Sequence, residues 1–251
     1  MPKHRHIIFL SCLLIILLVS AGCHDTFNEC LNGKGAIVTQ RIGLYPFGNV
    51  EVYDNLELTL VQGSDYMMEV TAGENIIPML RLNLKGNTLV LSNESSCPML
   101  KDPWKPIKVV LTAPKFDTLI VKSHADVRTL QPIRQKEFSI RVSQSAARVQ
   151  MGVDCEKLTI ENKDGTADVT ISGRAHRTVC NHAGFGKLDL TGLSSVYLNL
   201  GAQSRNDCRV RAGDDYFFAV LRDIGNVYYT NDPLHIELFV ESSGQLIKSN
   251  E

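Results

Sequence analysis

From residue 123 onward the chain repeats one short plan about every 20 residues. The segments SHADV, SAARV, GTADV, GFGKL, SRNDC, DIGNV and SSGQL end on Val127, Val149, Val169, Leu188, Cys208, Val227 and Leu246. Each opens on a turn-forming residue: Ser123, Ser145, Gly165, Gly184, Ser204, Asp223 and Ser242. Two places after the apolar position another apolar residue tends to follow (Met151, Ile171, Leu190, Val210, Tyr229), which is the period of a strand. A second column of strand starts lies half a unit upstream, at Phe138, Leu158, Thr178, Tyr197, Phe217 and Ile236. Ile140, Ile160, Cys180, Asn199, Ala219 and Leu238 follow two places on.

A unit this short, with two or three brief strands and no helical stretch, cannot bury its own apolar face. It must stack on copies of itself. The fold class expected is therefore all-β: a right-handed parallel β-helix in a single elongated body, with successive coils about 4.8 Å apart. The residues just before the apolar column test the register. They read Asp126, Arg148, Asp168, Lys187, Asp207, Asn226 and Gln245. Stacked in register they form an outward ladder whose charges alternate in sign before ending in amides, so neighbours attract modestly instead of repelling.

The first half is strand-rich but less regular. VEVYDNLELTLVQG, MMEV, RLNLKGNTLVLSN and IKVVLTA alternate apolar and polar residues, and KGNT at 85–88 reads as a hairpin turn. ENIIPML suits a single helical turn or a bend before Pro78. A loop is expected over 93–106, where three prolines surround Trp104.

The N-terminus reads as a targeting segment. Lys3 and Arg5 precede an apolar run from Ile7 to Val19. That run is short of the roughly 20 residues needed to cross a bilayer but right for a signal-peptide core. SAGC follows, and a Cys after small residues resembles the bacterial lipobox, with Ser20 standing where a larger apolar residue is usual. The expectation is cleavage after Gly22 and lipidation of Cys23, which would hold the protein on a membrane. Residues 1–22 are then a signal peptide, 23–35 a lipid-anchored tether and 36–251 the β-helix domain. Residues 1–22 carry two of the 26 basic residues and none of the 27 acidic ones, so the net charge of −1 becomes −3 in the mature chain. That near-balance argues against nucleic acid and against a polybasic hold on lipid.

Seven cysteines include Cys12 in the signal and Cys23; the remaining five are Cys30, Cys97, Cys155, Cys180 and Cys208. An odd number allows two bridges at most, and no CxxC supports a redox or zinc motif. Cys180 and Cys208 fall in inward columns, as small core residues or as a bridge.

FGNVEVYDNLELTLVQGSDYMMEVTAGENIIPML, NTLVLSN, KVVLTAPKFDTLIVKSHADV, GTADVTISG and SGQLIK together resemble the bacterial cell-envelope lipoproteins described as auto-transporter adhesins with a head GIN domain, common in Bacteroidetes. The resemblance spans roughly residues 36–248. It implies a β-helix-like fold, secretion, a lipid anchor and no catalytic motif. It also places a Cys ahead of the first strand and another near the mid-loop Trp, here Cys30 and Cys97, and points to a disulfide between them; two free thiols are the alternative.

Sites for chemistry are sparse. His176, Cys180 and His182 form a candidate metal trio, but the spacing belongs to a helix while the segment reads as strand and turn. Asp214–Asp215 and Asp164 beside Gly165 could bind calcium, although such residues are more often solvated turns. Ser194 and Ser195 lack a His partner at a suggestive spacing. No cofactor or metal is expected. The function expected is a non-enzymatic envelope protein, anchored in the outer membrane, binding a glycan, matrix component or envelope protein along its length. The alternatives are a lyase-like carbohydrate-active enzyme on the same scaffold, or a structural envelope component.

Overall fold

The computed structural model describes residues 33–95 and 106–249. The expected signal peptide, Cys23, Cys30, Cys97 and Trp104 lie outside them. Among the described residues the chain is almost entirely strand, with one 3-10 turn at Ile77–Met79 where ENIIPML stands.

About seven successive turns of a β-solenoid run from β8 (Thr118–Ser123) and β9 (Val127–Thr129) to the C-terminal end. The intervening strands are β10 (Ile133–Val142), β11 (Arg148–Asn162), β12 (Asp168–His182), β13 (Leu188–Leu190), β14 (Leu193–Ala202), β15 (Cys208–Arg211), β16 (Tyr216–Leu221) and β17 (Val227–Thr230). β18 (His235–Val240) and β19 (Leu246–Lys248) close the stack. All these pairings are parallel. Val127, Val149, Val169, Leu188, Cys208, Val227 and Leu246 lie in one unbroken column.

Three walls surround the core. In β11, Val149, Met151, Val153, Cys155, Leu158, Ile160 and Asn162 point inward. The alternation breaks at Glu156–Lys157, two exposed residues in a row, and again at His176–Arg177 in β12. Two adjacent outward side chains mean a corner, because a flat strand alternates strictly. The first wall is the Val127 column, the second runs through Val153–Cys155, and the third through Leu158–Asn162. Each fully buried aliphatic contributes about 1.5–3 kcal/mol from leaving water.

Backbone spacing at two corners leaves no room for a side chain. Gly173 sits at φ +107, and a Cβ there would lie 2.0 Å from the carbonyl oxygen of Val153 one turn below. Gly165 sits at φ +85 with a Cβ position 2.4 Å from the Ser145 carbonyl oxygen. The turn-forming serines tie layers together: Ser145 Oγ donates to the Ser123 carbonyl at 2.6 Å and Ser204 Oγ to the Gly184 carbonyl at 2.8 Å.

One inward column differs from the sequence expectation. Thr178 pairs with Leu198 and Cys180 with Leu200, so Tyr197 and Asn199 face outward. The coil from Thr178 to its partner is one residue longer than the coil that would turn Tyr197 inward. A slip of one residue turns every side chain in a strand to the other face.

The N-terminal block explains its own irregularity. β1 (Ile37–Gly43), β2 (Asn49–Asp54), β3 (Leu56–Gln62), β4 (Met67–Gly73), β5 (Leu80–Lys85), β6 (Thr88–Asn93) and β7 (Ile107–Ala113) do not stack in chain order. β2 lies between β6 and β8, and β3 between β7 and β9, all parallel. Antiparallel strands then cover the end: β5 on β6 through the Lys85–Thr88 hairpin, β4 on β7, and β1 on β4. Among the described residues no helix is long and apolar enough to cross a membrane.

Candidate binding face

The third wall presents the most organised outer surface. Three outward columns run along it, because parallel in-register stacking sets each outward residue above its counterpart. One reads Glu137, Lys157, Arg177, Tyr197, Tyr216 and His235. The next begins on hydroxyls and an amide, Thr88, Asn49, Thr118, Ser139 and Thr159, and passes through Val179 and Asn199 to Phe218 and Glu237. The last runs from Arg141 and Glu161 to Val220 and Phe239.

Chemistry changes along the wall. At the N-terminal side it is polar. Lys157 lies 3.7 Å from Glu137 and Arg141 3.4 Å from Glu161. A cleft of about 590 Å³ opens there, lined by Lys115, Asp117, Gln135, Glu137, Lys157 and Thr159. Towards the C-terminal side aromatic rings take over. Arg177 sits 5.1 Å above the Tyr197 ring, and His176 meets the same ring edge-on at 5.4 Å. Phe218 and Phe239 pack at 5.7 Å. The Tyr197 hydroxyl donates to Asp215 and the Tyr216 hydroxyl to Glu237; these bonds raise both phenols above their ordinary pKa. The two rings are thereby held partly exposed in fixed orientations.

The outward ladder lies on the edge of the first wall. Arg148 pairs with Asp126 at 3.7 Å and stands beside Asp168 in register. Beyond that rung the acids bind backbone. Asp168 Oδ1 accepts from the Lys187 amide at 2.8 Å, Asp207 Oδ1 from the Asn226 amide at 2.8 Å, and Asn226 Oδ1 from the Gln245 amide at 3.0 Å. Short Asp and Asn side chains reach a neighbouring turn's N–H where the ladder of strand bonds has stopped. The column is thus a structural seam more than a charge array. On the second wall Asp154 is held by Arg174 through two bonds of 2.7 and 2.9 Å, with Arg134 3.7 Å away, which lowers its carboxyl pKa.

The other candidates are separated by the fold. His176 is exposed at a corner while Cys180 and His182 are buried, so the trio spans both sides of a strand. Among the described residues no three His, Cys, Asp or Glu side chains are placed to hold a metal. Asp214 takes donors from Arg211 at 2.7 Å and Asn231 at 3.2 Å, and Asp164 from the Gln144 amide at 2.7 Å. Ser195 is buried against Thr178 at 2.6 Å, and Ser194 accepts from Arg211 at 3.0 Å. Cys155, Cys180 and Cys208 are free and buried. Burial pushes the Cys155 thiol up to about 11 and Cys208 to about 12, so neither is a nucleophile at neutral pH.

Sequence reasoning missed the aromatic end of the third wall because it turned Tyr197 inward. The signal was present: YLNL and YFFAV place Tyr197 and Tyr216 at the start of equivalent strands.

Comparison with known proteins agrees with this architecture. The family model described as "Putative auto-transporter adhesin, head GIN domain" matches residues 46–233. A solved structure of a "putative adhesin" from Bacteroides fragilis is 19% identical, with a TM-score of 0.76 over 85% of this chain and 97% of its own. Another from Parabacteroides distasonis is 18% identical, with a TM-score of 0.69 over 86% and 98%. A third, from Parabacteroides distasonis and described as a "putative lipid binding protein", is 15% identical, with a TM-score of 0.61 over 86% and 98%. A search of curated proteins finds no match. With most of its length covered by one family model and its fold shared with these neighbours, the chain belongs to the head GIN domain family.

Proposed function

We propose that this is a secreted cell-envelope protein, lipidated at Cys23 and held on the outer membrane, that binds an extended glycan along its third wall without catalysis. Residues 1–22 are its signal peptide, 23–35 its tether and 36–251 its binding domain. The reading rests on one observation above all: a continuous wall on which one outward column leads from Glu137, Lys157 and Arg177 to two fixed, partly exposed tyrosines. Aromatic faces stack on the apolar faces of sugars, and hydroxyl and amide columns supply hydrogen bonds to the rest of a polymer. A rigid wall loses little conformational entropy when it binds, so many weak contacts can add. Family membership supports an adhesive, non-catalytic role. The carboxylates of the ladder are committed to Arg148 and to backbone amides, which leaves that column without the convergent acids of a lyase.

The test is an array of glycans and matrix proteins probed with the purified chain, with lipid vesicles as a further arm because one neighbour is described as binding lipid. Tyr197→Ala with Tyr216→Ala should reduce the glycan signal at least tenfold. Tyr228→Ala, on the first wall, should leave it unchanged. An array with no glycan signal, or equal loss from both variants, refutes the assignment. Cys23→Ala should move the protein from the membrane to the soluble fraction; retention on the membrane refutes the anchor.

A further inference from the structure

The C-terminal end of the solenoid carries core residues that nothing among the described residues covers. Ile236, Leu238 and Val240 of β18 continue the inward columns of Phe217, Ala219 and Leu221. The three lower residues are fully buried, while the three in β18 are 45%, 41% and 48% exposed. All six residues of β18 are exposed. Among the described strands β18 pairs with β16, so along its other edge the amides and carbonyls are open to a further strand. Stacked-repeat folds ordinarily end in a repeat with a polar outer face, and free edges are ordinarily blunted by charge, proline or a bulge. LHIELFV at 234–240 has one acidic residue and no proline.

We infer that β18 is the contact of a two-fold, end-to-end homodimer, in which it pairs antiparallel with β18 of a second copy. The sequence selects the register. Antiparallel partners must share a face, so the symmetry axis passes through a residue rather than between two. Centred on Leu238, Ile236 faces Val240 of the second copy, Leu238 faces itself, and His235 faces Glu241. The apolar columns become continuous across the junction, Glu237 faces Phe239 on the outer side, and the His235 ring can donate a hydrogen bond to Glu241. Centred on Glu237, that carboxylate opposes itself; centred on Phe239, Glu237 opposes Glu241. Both set like charges directly opposite, which is destabilising; centred on Ile236, Val240 opposes Asp232, and centred on Val240, Leu238 opposes Ser242, so each of these breaks an apolar column. Glu241 lies 3.3 Å from Arg222 of its own chain and is half exposed, so it can also accept His235. The contact is isologous and closes at two copies. It uses the end of the solenoid, so it stands or falls separately from the glycan face.

Sedimentation of the purified chain over a range of concentrations tests this. A monomer–dimer equilibrium that stops at two copies is expected, and Leu238→Lys should weaken it at least tenfold while the strand circular dichroism is unchanged. A monomer at every concentration, or open-ended growth, overturns the proposal. Cysteine pairing checks the register without relying on the lysine variant. Leu238→Cys should oxidise to a covalent dimer well above the level of the parent chain. Ile236→Cys should not, because its own counterpart lies about 13 Å away along the strands. Equal crosslinking at the two positions overturns the register and the symmetry with it.

Discussion

Acid should loosen this protein through one buried imidazole. His182 is 1% exposed, and Asn162 Nδ2 donates to its Nδ1 at 3.2 Å. His182 Nε2 and Asn162 Oδ1 have no partner among the described residues. Burial without a counter-charge pulls the imidazole pKa from its ordinary 6.5 to about 4. A depressed pKa means that the unfolded chain takes up the proton first as pH falls. The native state is therefore undisturbed above pH 6.5 and loses stability as pH falls from 6.5 towards 4. Below about 4 both states are protonated and the loss stops growing. At ~1.4 kcal/mol for each pH unit, that window costs about 3 kcal/mol. The comparison chain is His182→Asn, which retains an amide opposite Asn162 but cannot titrate. Guanidinium unfolding followed by circular dichroism at intervals between pH 7 and 4 gives both stabilities. Any fixed cost of the substitution, and the titration of the carboxylates, appear alike in the two curves and cancel in their difference. The parent should lose about 3 kcal/mol more than the variant across the window. Parallel curves would refute the claim that His182 is neutral and desolvated in the native state.

Two further outcomes follow from the stacking. Gly173→Ala forces a Cβ against the Val153 carbonyl oxygen at a positive φ, and should cost roughly 3 kcal/mol or more in the same unfolding assay. Asp207→Asn should leave stability nearly unchanged, while Asp207→Ala should cost about 1 kcal/mol. The amide still accepts from Asn226 N–H and the methyl does not; equal losses from the two would mean that the charge, not the backbone bond, is what matters.

The apolar column from Val127 to Leu246 was readable because turn-forming residues punctuate it at nearly constant spacing, and those small residues are what fit between stacked backbones. The second column was readable only as far as Thr178. The coil that follows keeps the length of the two before it and ends on Leu198, and SSVYLNL offers apolar residues on both parities, so hydropathy alone cannot choose between them. The ladder's position could be read, but its bonding could not. Alternating signs suggest ion pairs, whereas Asp168 and Asp207 are drawn to unsatisfied amides that exist only once the turns are stacked. The order of strands in the N-terminal block was illegible for a similar reason. β2 has neighbours on both sides contributed by later sequence, and no local pattern announces a pairing as remote as Asn49 with Thr118.

That nested arrangement gives the chain a sense of time. The layer of β2 and β3 stays open on one side until β8 and β9 have been made. Closing so long a loop costs about 1 kcal/mol more than closing a single coil. Once this slow seed has formed, every later coil needs only the one below it as a template. Assembly can then proceed like knitting, row upon row from cast-on edge to needle, in the direction in which a chain is synthesised.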